Sequence, residues 1–156
     1  MIAIHPYRSA DLDEVVRIFF ETVRHVNGRD YNPQQIEAWA PMNPDFPRWS
    51  KRMTDNVSFV ARMDQEAVGF AALRADGYLD VLYVDWKHQG EGIATLLLAR
   101  CEEEARKLGL KRLYTDASIT ARPFCEARGF RMIGEQTVEL RGEEFLNYRM
   151  EKELPA

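Results

Sequence analysis

Between Tyr78 and Leu98 the chain reads as an apolar strand, a short polar loop, a glycine-paired turn and a helix that begins at once: Tyr78-Leu-Asp-Val-Leu-Tyr-Val84, Asp-Trp-Lys-His, Gln89-Gly-Glu-Gly-Ile-Ala94, Thr-Leu-Leu-Leu98. No other stretch restricts the fold as much. A turn of this kind leaves the first N–H groups of the helix unpaired and aimed at one point, and the helix dipole favours an anion there. A phosphate or pyrophosphate is the expected guest. At Gly90 or Gly92 a side chain would keep such a ligand away from the backbone.

Two familiar phosphate loops fail on these residues. A P-loop needs Lys and then Ser or Thr after its last glycine, whereas Ile93 and Ala94 follow Gly92. The dinucleotide fingerprint needs a third small residue where Thr95 stands, and it belongs in the first strand–helix unit of its domain with an acidic residue about 20 positions on. Asp116 can be placed in that acidic role, but the motif lies past the middle of the chain, with too little sequence after it for a doubly wound sheet.

At 156 residues the chain is expected to form a single domain over 1–156, with an apolar fraction (46%) and a charged fraction (29%) typical of globular proteins. A net charge of −4 argues against nucleic acid as a partner, because phosphate-backbone binding needs a basic surface. No apolar run approaches the ~20 residues that cross a bilayer, which argues against a membrane partner. The N-terminal Met-Ile-Ala-Ile-His-Pro-Tyr-Arg lacks the pattern of a signal peptide, so a cytoplasmic location is expected. Cys101 and Cys125 give no disulfide framework, and His5, His25 and His88 lack metal-ligand spacing, so no metal is expected.

Periodicity sets out the rest. Residues 2–6 form a strand, and a helix starts at Asp11 with Glu14 as its capping-box partner. Leu12, Val15, Val16, Phe19, Val23 and Val26 give that helix one apolar stripe. Asn32-Pro33-Gln34-Gln35 starts a second helix, which Pro41 ends. Residues 40–49, with three prolines and two large aromatics, read as an irregular loop that can wall a pocket. Strands follow at 57–63, 67–73 and 78–84. The helix at 91–108 is expected to bury Ile93, Leu96, Leu97, Cys101, Ala105 and Leu108, with Glu102/Arg106 and Glu103/Lys107 paired on its outer face. A strand at 112–116, a short helix at 121–128 and a hairpin of 130–140 and 143–151 complete the order. This is a mixed α/β layer fold, largely antiparallel, with helices on both faces and one central parallel pair made by the right-handed crossover from 78–84 to 112–116. The hairpin offers an edge that can pair in a homodimer.

Gln89-Gly90-Glu91-Gly92-Ile93-Ala94 resembles the Gln/Arg-x-x-Gly-x-Gly/Ala signature of the GCN5-related N-acetyltransferases, the GNAT superfamily. Ala121-Arg-Pro-Phe124-Cys-Glu-Ala-Arg-Gly129-Phe130 is similar to that family's A-x-x-F-Y-E-x-x-G-F segment, and the two segments stand in the expected order and spacing. The resemblance covers roughly residues 2 to 151 and implies a GNAT-like fold whose fourth and fifth strands splay apart around the pantetheine arm of acetyl-CoA. It implies main-chain pairing of Tyr83 and Val84, at the end of the strand with Leu82, to pantetheine. It implies a wrap of Gln89, Gly90, Glu91, Gly92, Ile93 and Ala94 around the pyrophosphate, with Thr95 in the first helical turn and with Ser118 and Phe124 from the second segment. The activity implied is direct transfer of an acetyl group from acetyl-CoA to an amine in a ternary complex, the acceptor being a small molecule or a peptide.

Where the family usually has Tyr after that Phe, this chain has Cys125, and Ser118 replaces the usual Asn. A thiol with pKa ~8.5 is matched to a departing alkyl thiolate, which makes Cys125 a candidate general acid. Asp80, the one carboxylate inside its strand, is the candidate for binding or deprotonating the amine. Tyr31, Trp39 and Trp49 are candidates for an acceptor-pocket wall. A catalytically silent acetyl-CoA-binding sensor or regulatory module is the alternative, which the missing Tyr favours.

Overall fold

The computed structural model describes residues 1–155. In chain order the elements are β1 (Ile2–Pro6), α1 (Leu12–His25), α2 (Pro33–Trp39), α3 (Phe46–Asp55), β2 (Val57–Met63), β3 (Glu66–Leu73), β4 (Leu79–Val84), α4 (Ile93–Lys107), β5 (Arg112–Ser118), α5 (Arg122–Ala127), β6 (Arg131–Leu140) and β7 (Glu143–Glu153). The strands form two antiparallel sheets in the orders β1-β2-β3-β4 and β5-β7-β6. Between β4 and β5 the expected parallel pair is reduced to one bridge, Tyr78 to Tyr114. From that bridge onward the two strands diverge.

Pleating divides the core in two. Phe59, Ala61, Val68 and Ala71 face α4 together with Leu97, Leu98 and Cys101. Val60, Phe70 and Ala72 face α1 to α3 together with Val15, Ile18, Phe19 and Met53. With helices on both sides, β3 is buried along almost its whole length, which is why its sequence is a continuous apolar run. At Gly69 the approach is so close that a Cβ would meet the Tyr83 carbonyl at 3.0 Å and side chains of Ile93 and Leu97 at 3.1 Å. The glycine lets α4 lie directly on the sheet beside the end of β4.

Several local readings are corrected. The 40–49 loop is shorter than expected, because Asp45 accepts from the Arg48 amide at 3.0 Å and Pro47 sits in the first turn of α3. Cap and N-terminal proline are a helix start, hidden here among other prolines. On α4 the buried stripe is Ile93, Leu97, Leu98, Cys101 and Ala105, whereas Leu96 and Leu108 are exposed. Its outer pairs Glu102/Arg106 and Glu103/Lys107 form at 3.8 and 3.5 Å.

The Asp11–Glu14 capping box does not form. Asp11 accepts from the Arg8 amide at 2.9 Å and from Arg62 at 2.6 Å, and Glu14 accepts from Arg62 at 2.8 Å and from the Ala67 amide at 3.1 Å. Arg62 on β2 is thus the centre of a network that ties α1 to the sheet. Burial pushes Asp11 up, but the Arg8 amide and Arg62 outweigh it and hold it below its ordinary range. Glu14 is held low mainly by Arg62. Both folded-state values lie below the unfolded ones, so this stabilisation is complete above the usual carboxylate range and is lost as pH falls through the depressed values. Thermal melts of the wild-type chain should therefore weaken below about pH 4. Arg62→Gln should be less stable near neutral pH by about 3 kcal/mol, since Asp11 is left buried without its partner, and should lose less on acidification. Parallel pH–stability curves for the two proteins would contradict this account.

Candidate active site

The site grows out of the end of β4. Ala72 faces Val81 and Leu73 faces Leu79, so Asp80 is the extra residue of a β-bulge. A bulge re-aims its side chain and breaks the pairing rhythm. Beyond it the ladder is regular: Asp85 donates its amide to the Val68 carbonyl at 2.8 Å, and Val84, Tyr83 and Leu82 lie opposite Gly69, Phe70 and Ala71. Because main-chain groups alternate along a strand, Tyr83 spends its N–H and C=O on Phe70, while the amides of Leu82 and Val84 point into the gap toward β5. Tyr83 therefore does not turn its main chain to the gap as expected, whereas Leu82 does. The Tyr83 ring packs edge-on against Phe19.

The loop after β4 is tied down before the glycine turn begins. Asp85 is 1% exposed, accepts from the Lys87 amide at 3.1 Å and pairs with Arg17 at 3.2 Å. Trp86 stacks on His25 at 3.9 Å and donates to Glu21 at 3.2 Å. The Val84 carbonyl accepts from Thr22 Oγ1 at 3.0 Å and from Gln89 Nε2 at 2.8 Å. Gln89 thus braces the loop with its side chain. His88, which lines the cleft, pairs with Glu91 at 3.3 Å.

Gly90 and Gly92 have φ of +76° and +82°, left-handed values that favour glycine, and a Cβ at either would meet nothing within 4 Å. Leu96 is the first residue of α4 to donate back, to Gly92 at 3.2 Å. Every backbone amide from Gln89 to Thr95 lacks a partner among the described residues. These free donors converge on the open side of the turn, which is an anion nest at the positive end of a 15-residue helix.

The opposite wall comes from β5 and α5. Ser118 accepts from the Ala121 amide at 3.0 Å, so one of its hydrogen bonds holds the start of α5. Phe124 and Cys125 face the cleft from α5. Arg128 donates to Thr95 Oγ1 at 3.1 Å and brings a cation to the rim of the nest. Together the walls enclose a cleft of about 560 Å³ between β4 and β5, into which Leu82, Val84, Gln89, Gly90, Gly92, Ile93, Ala94, Thr95, Ser118, Phe124 and Cys125 all reach.

At the narrow end stand two carboxylates. Asp80 is not isolated: Arg52 on α3 donates to it from Nε at 2.7 Å and from Nη2 at 3.0 Å. Asp116 on β5 accepts from Tyr78 Oη at 2.9 Å and from Gln136 Nε2 at 3.0 Å. The expected aromatic wall is smaller, since of Tyr31, Trp39 and Trp49 it is Trp39 alone that lines the cleft. Trp49 is 7% exposed and packs on Phe19 and Phe70. Tyr31 is core as well, and its hydroxyl accepts from the Ile119 amide at 2.9 Å and donates to the Leu146 carbonyl at 3.1 Å. Thr22, Asn27, Asp116 and Arg128 are cleft residues that sequence reasoning did not place there. None carries a local signal, because each arrives from a different element.

Burial, with a smaller effect of Glu126, pushes the Cys125 thiol up to about 11. Protonating an alkyl thiolate of pKa ~8.5 from such a thiol is uphill by roughly 3 kcal/mol, so the match that made Cys125 a candidate acid is lost on folding. Cys125→Ala should keep wild-type turnover per folded molecule and cost about 1 kcal/mol of stability through lost contacts. Steady-state rates normalised to the folded fraction decide this, and a hundredfold fall would restore Cys125 as the acid.

The arrangement can hold an anionic group at the nest, an extended arm along the strand edges, and an amine at the narrow end. Comparison with known proteins agrees. The acetyltransferase (GNAT) domain family matches residues 27–152. The chain belongs to this family of acetyl-CoA-dependent N-acetyltransferases. It is 36% identical to the uncharacterized N-acetyltransferase YafP of Escherichia coli over 149 residues, which cover 96% of this chain and 94% of that protein. A crystal structure of a GCN5-related N-acetyltransferase from Rhodopseudomonas palustris is 31% identical and superposes with a TM-score of 0.94, covering 97% of this chain and 95% of that one. The PaiA N-acetyltransferase of Thermoplasma acidophilum, solved in complex with coenzyme A, shares the fold with a TM-score of 0.81 at 18% identity, covering 98% of this chain and 99% of that one. No helix among the described residues is long and apolar enough to cross a membrane.

Proposed function

We propose that the chain transfers the acetyl group of acetyl-CoA directly to an amine, both substrates being bound at once. One observation carries the reading: the run of free amides from Gln89 to Thr95 opens straight into the gap between β4 and β5, where the strand edge is unpaired. The nest takes the pyrophosphate, with Arg128 adding a cation at its rim. The Leu82 and Val84 amides are free for the arm and for the thioester carbonyl, whose oxygen gains charge during attack.

The amine nitrogen attacks the thioester carbon, the C–N bond forms, and the C–S bond then breaks to release the thiolate of coenzyme A. The acceptor must first lose a proton. Asp80 is committed to Arg52, so we assign it to orienting the narrow end. Asp116 is the more exposed carboxylate and is the proposed base. The thiolate needs no acid from α5, because a thiol of pKa ~8.5 is a tolerable leaving group near neutral pH. With Asp80 neutralised by Arg52, Asp116 is the carboxylate at this end that favours a cationic amine acceptor, in a small molecule or a peptide.

Calorimetry with acetyl-CoA, followed by coenzyme A release over a panel of amines, tests the reading. Binding with turnover on at least one amine supports it. Binding with no turnover on any amine supports the sensor alternative.

A further inference from the structure

The connection between α1 and α2 crosses the wide end of the cleft. On the β4 side Thr22 holds the Val84 carbonyl. On the β5 side Thr120 donates to Asp30 at 2.7 Å, and the Ile119 amide donates to Tyr31 Oη at 2.9 Å. The segment from Thr22 to Tyr31 is therefore a strap fastened to both strands where they stand apart. Asn27 lies in the middle of this strap. It lines the cleft, is 5% exposed, and its side-chain carboxamide has no hydrogen-bond partner among the described residues. Neither its oxygen nor its nitrogen is shut off from the cleft, so the carboxamide keeps its acceptor and donors open to a ligand there.

We infer that Asn27 recognises an amide of the pantetheine arm as it passes beneath the strap. This rests on the acetyl-CoA reading above. The chemistry matches: a carboxamide carries one acceptor and two donors, and each secondary amide of the arm presents one N–H and one C=O. Position favours the arm over the acceptor. Asn27 stands between Thr22, which holds the Val84 carbonyl, and Asp30, which holds Thr120, and so belongs to the wide end, whereas the polar groups suited to an amine, Asp80 and Asp116, stand two residues from the Tyr78–Tyr114 bridge.

The test compares acetyl-CoA with adenosine 3′,5′-bisphosphate, which lacks the arm, on wild type, Asn27→Leu and Asn27→Ser. Asn27→Leu should bind acetyl-CoA about tenfold more weakly, roughly 1.4 kcal/mol, and the bisphosphate with unchanged affinity. Its ligand-free melting temperature should stay near that of the wild type, because no protein hydrogen bond is removed and an apolar group of similar size fills the same place. Asn27→Ser, which keeps a hydroxyl, should recover part of the affinity. A fall in melting temperature, or an equal loss for both ligands, would make Asn27 a structural residue and overturn the inference. Unchanged acetyl-CoA affinity in Asn27→Leu overturns it too, with acetyl-CoA binding by the wild type still standing. A wild-type chain that fails to bind acetyl-CoA overturns the parent reading and this one together.

Discussion

Gly92→Asp is expected to lower acetyl-CoA affinity at least tenfold, about 1.4 kcal/mol, without unfolding the chain. Gly92 is the N-cap of α4, with φ +82°, and a Cβ there meets nothing within 4 Å. Aspartate is among the side chains best tolerated in the left-handed region, so its strain is modest, and its carboxylate stands beside the free amides of the first turn. The variant should therefore fill its own nest. The same amides and the same dipole that draw a phosphate would be satisfied by the new carboxylate, and its charge would repel the pyrophosphate as well. Calorimetry on the folded variant gives the answer, with a cooperative melt near the wild-type temperature as the control. An unchanged dissociation constant would remove the nest as the coenzyme A site.

Asp116→Asn should reduce kcat about a hundredfold, the lower range for losing a general base, and leave acetyl-CoA binding as it was. Asparagine keeps the shape and one acceptor oxygen, for Gln136, and the Tyr78 hydroxyl can turn to accept from the new NH2, so the change is in basicity more than in packing. The acid limb of the kcat/KM profile should also disappear. Turnover near wild type from pH 6 to 9 would exclude Asp116 and return attention to Asp80.

Much of the fold is readable in order along the chain. The helix–strand sequence, the crossover helix and the C-terminal hairpin all follow from period and punctuation, since each depends on residues close together. The nest is readable for the same reason: two glycines at the head of an apolar helix are a local geometry. The misreadings share a cause as well. Glu14 has the spacing of a capping residue but turns to Arg62, which is 48 positions away. Asp80 looks isolated on its strand because its partner, Arg52, belongs to α3. Tyr31 and Trp49 look like a pocket wall because spacing does not say which side of a sheet an aromatic will occupy.

What the sequence determined by itself, then, was the order of elements and the place where an anion can be held, both products of short-range backbone geometry. The tertiary structure decided how the cleft is furnished. It reduced the parallel pair to one bridge, committed Asp80 to Arg52, raised the Cys125 thiol by burial, and carried Asn27 and Asp116 to the same gap from opposite sides. Desolvation and long-range pairing depend on which distant residues become neighbours, and that is fixed only when both layers of helices close on the sheets.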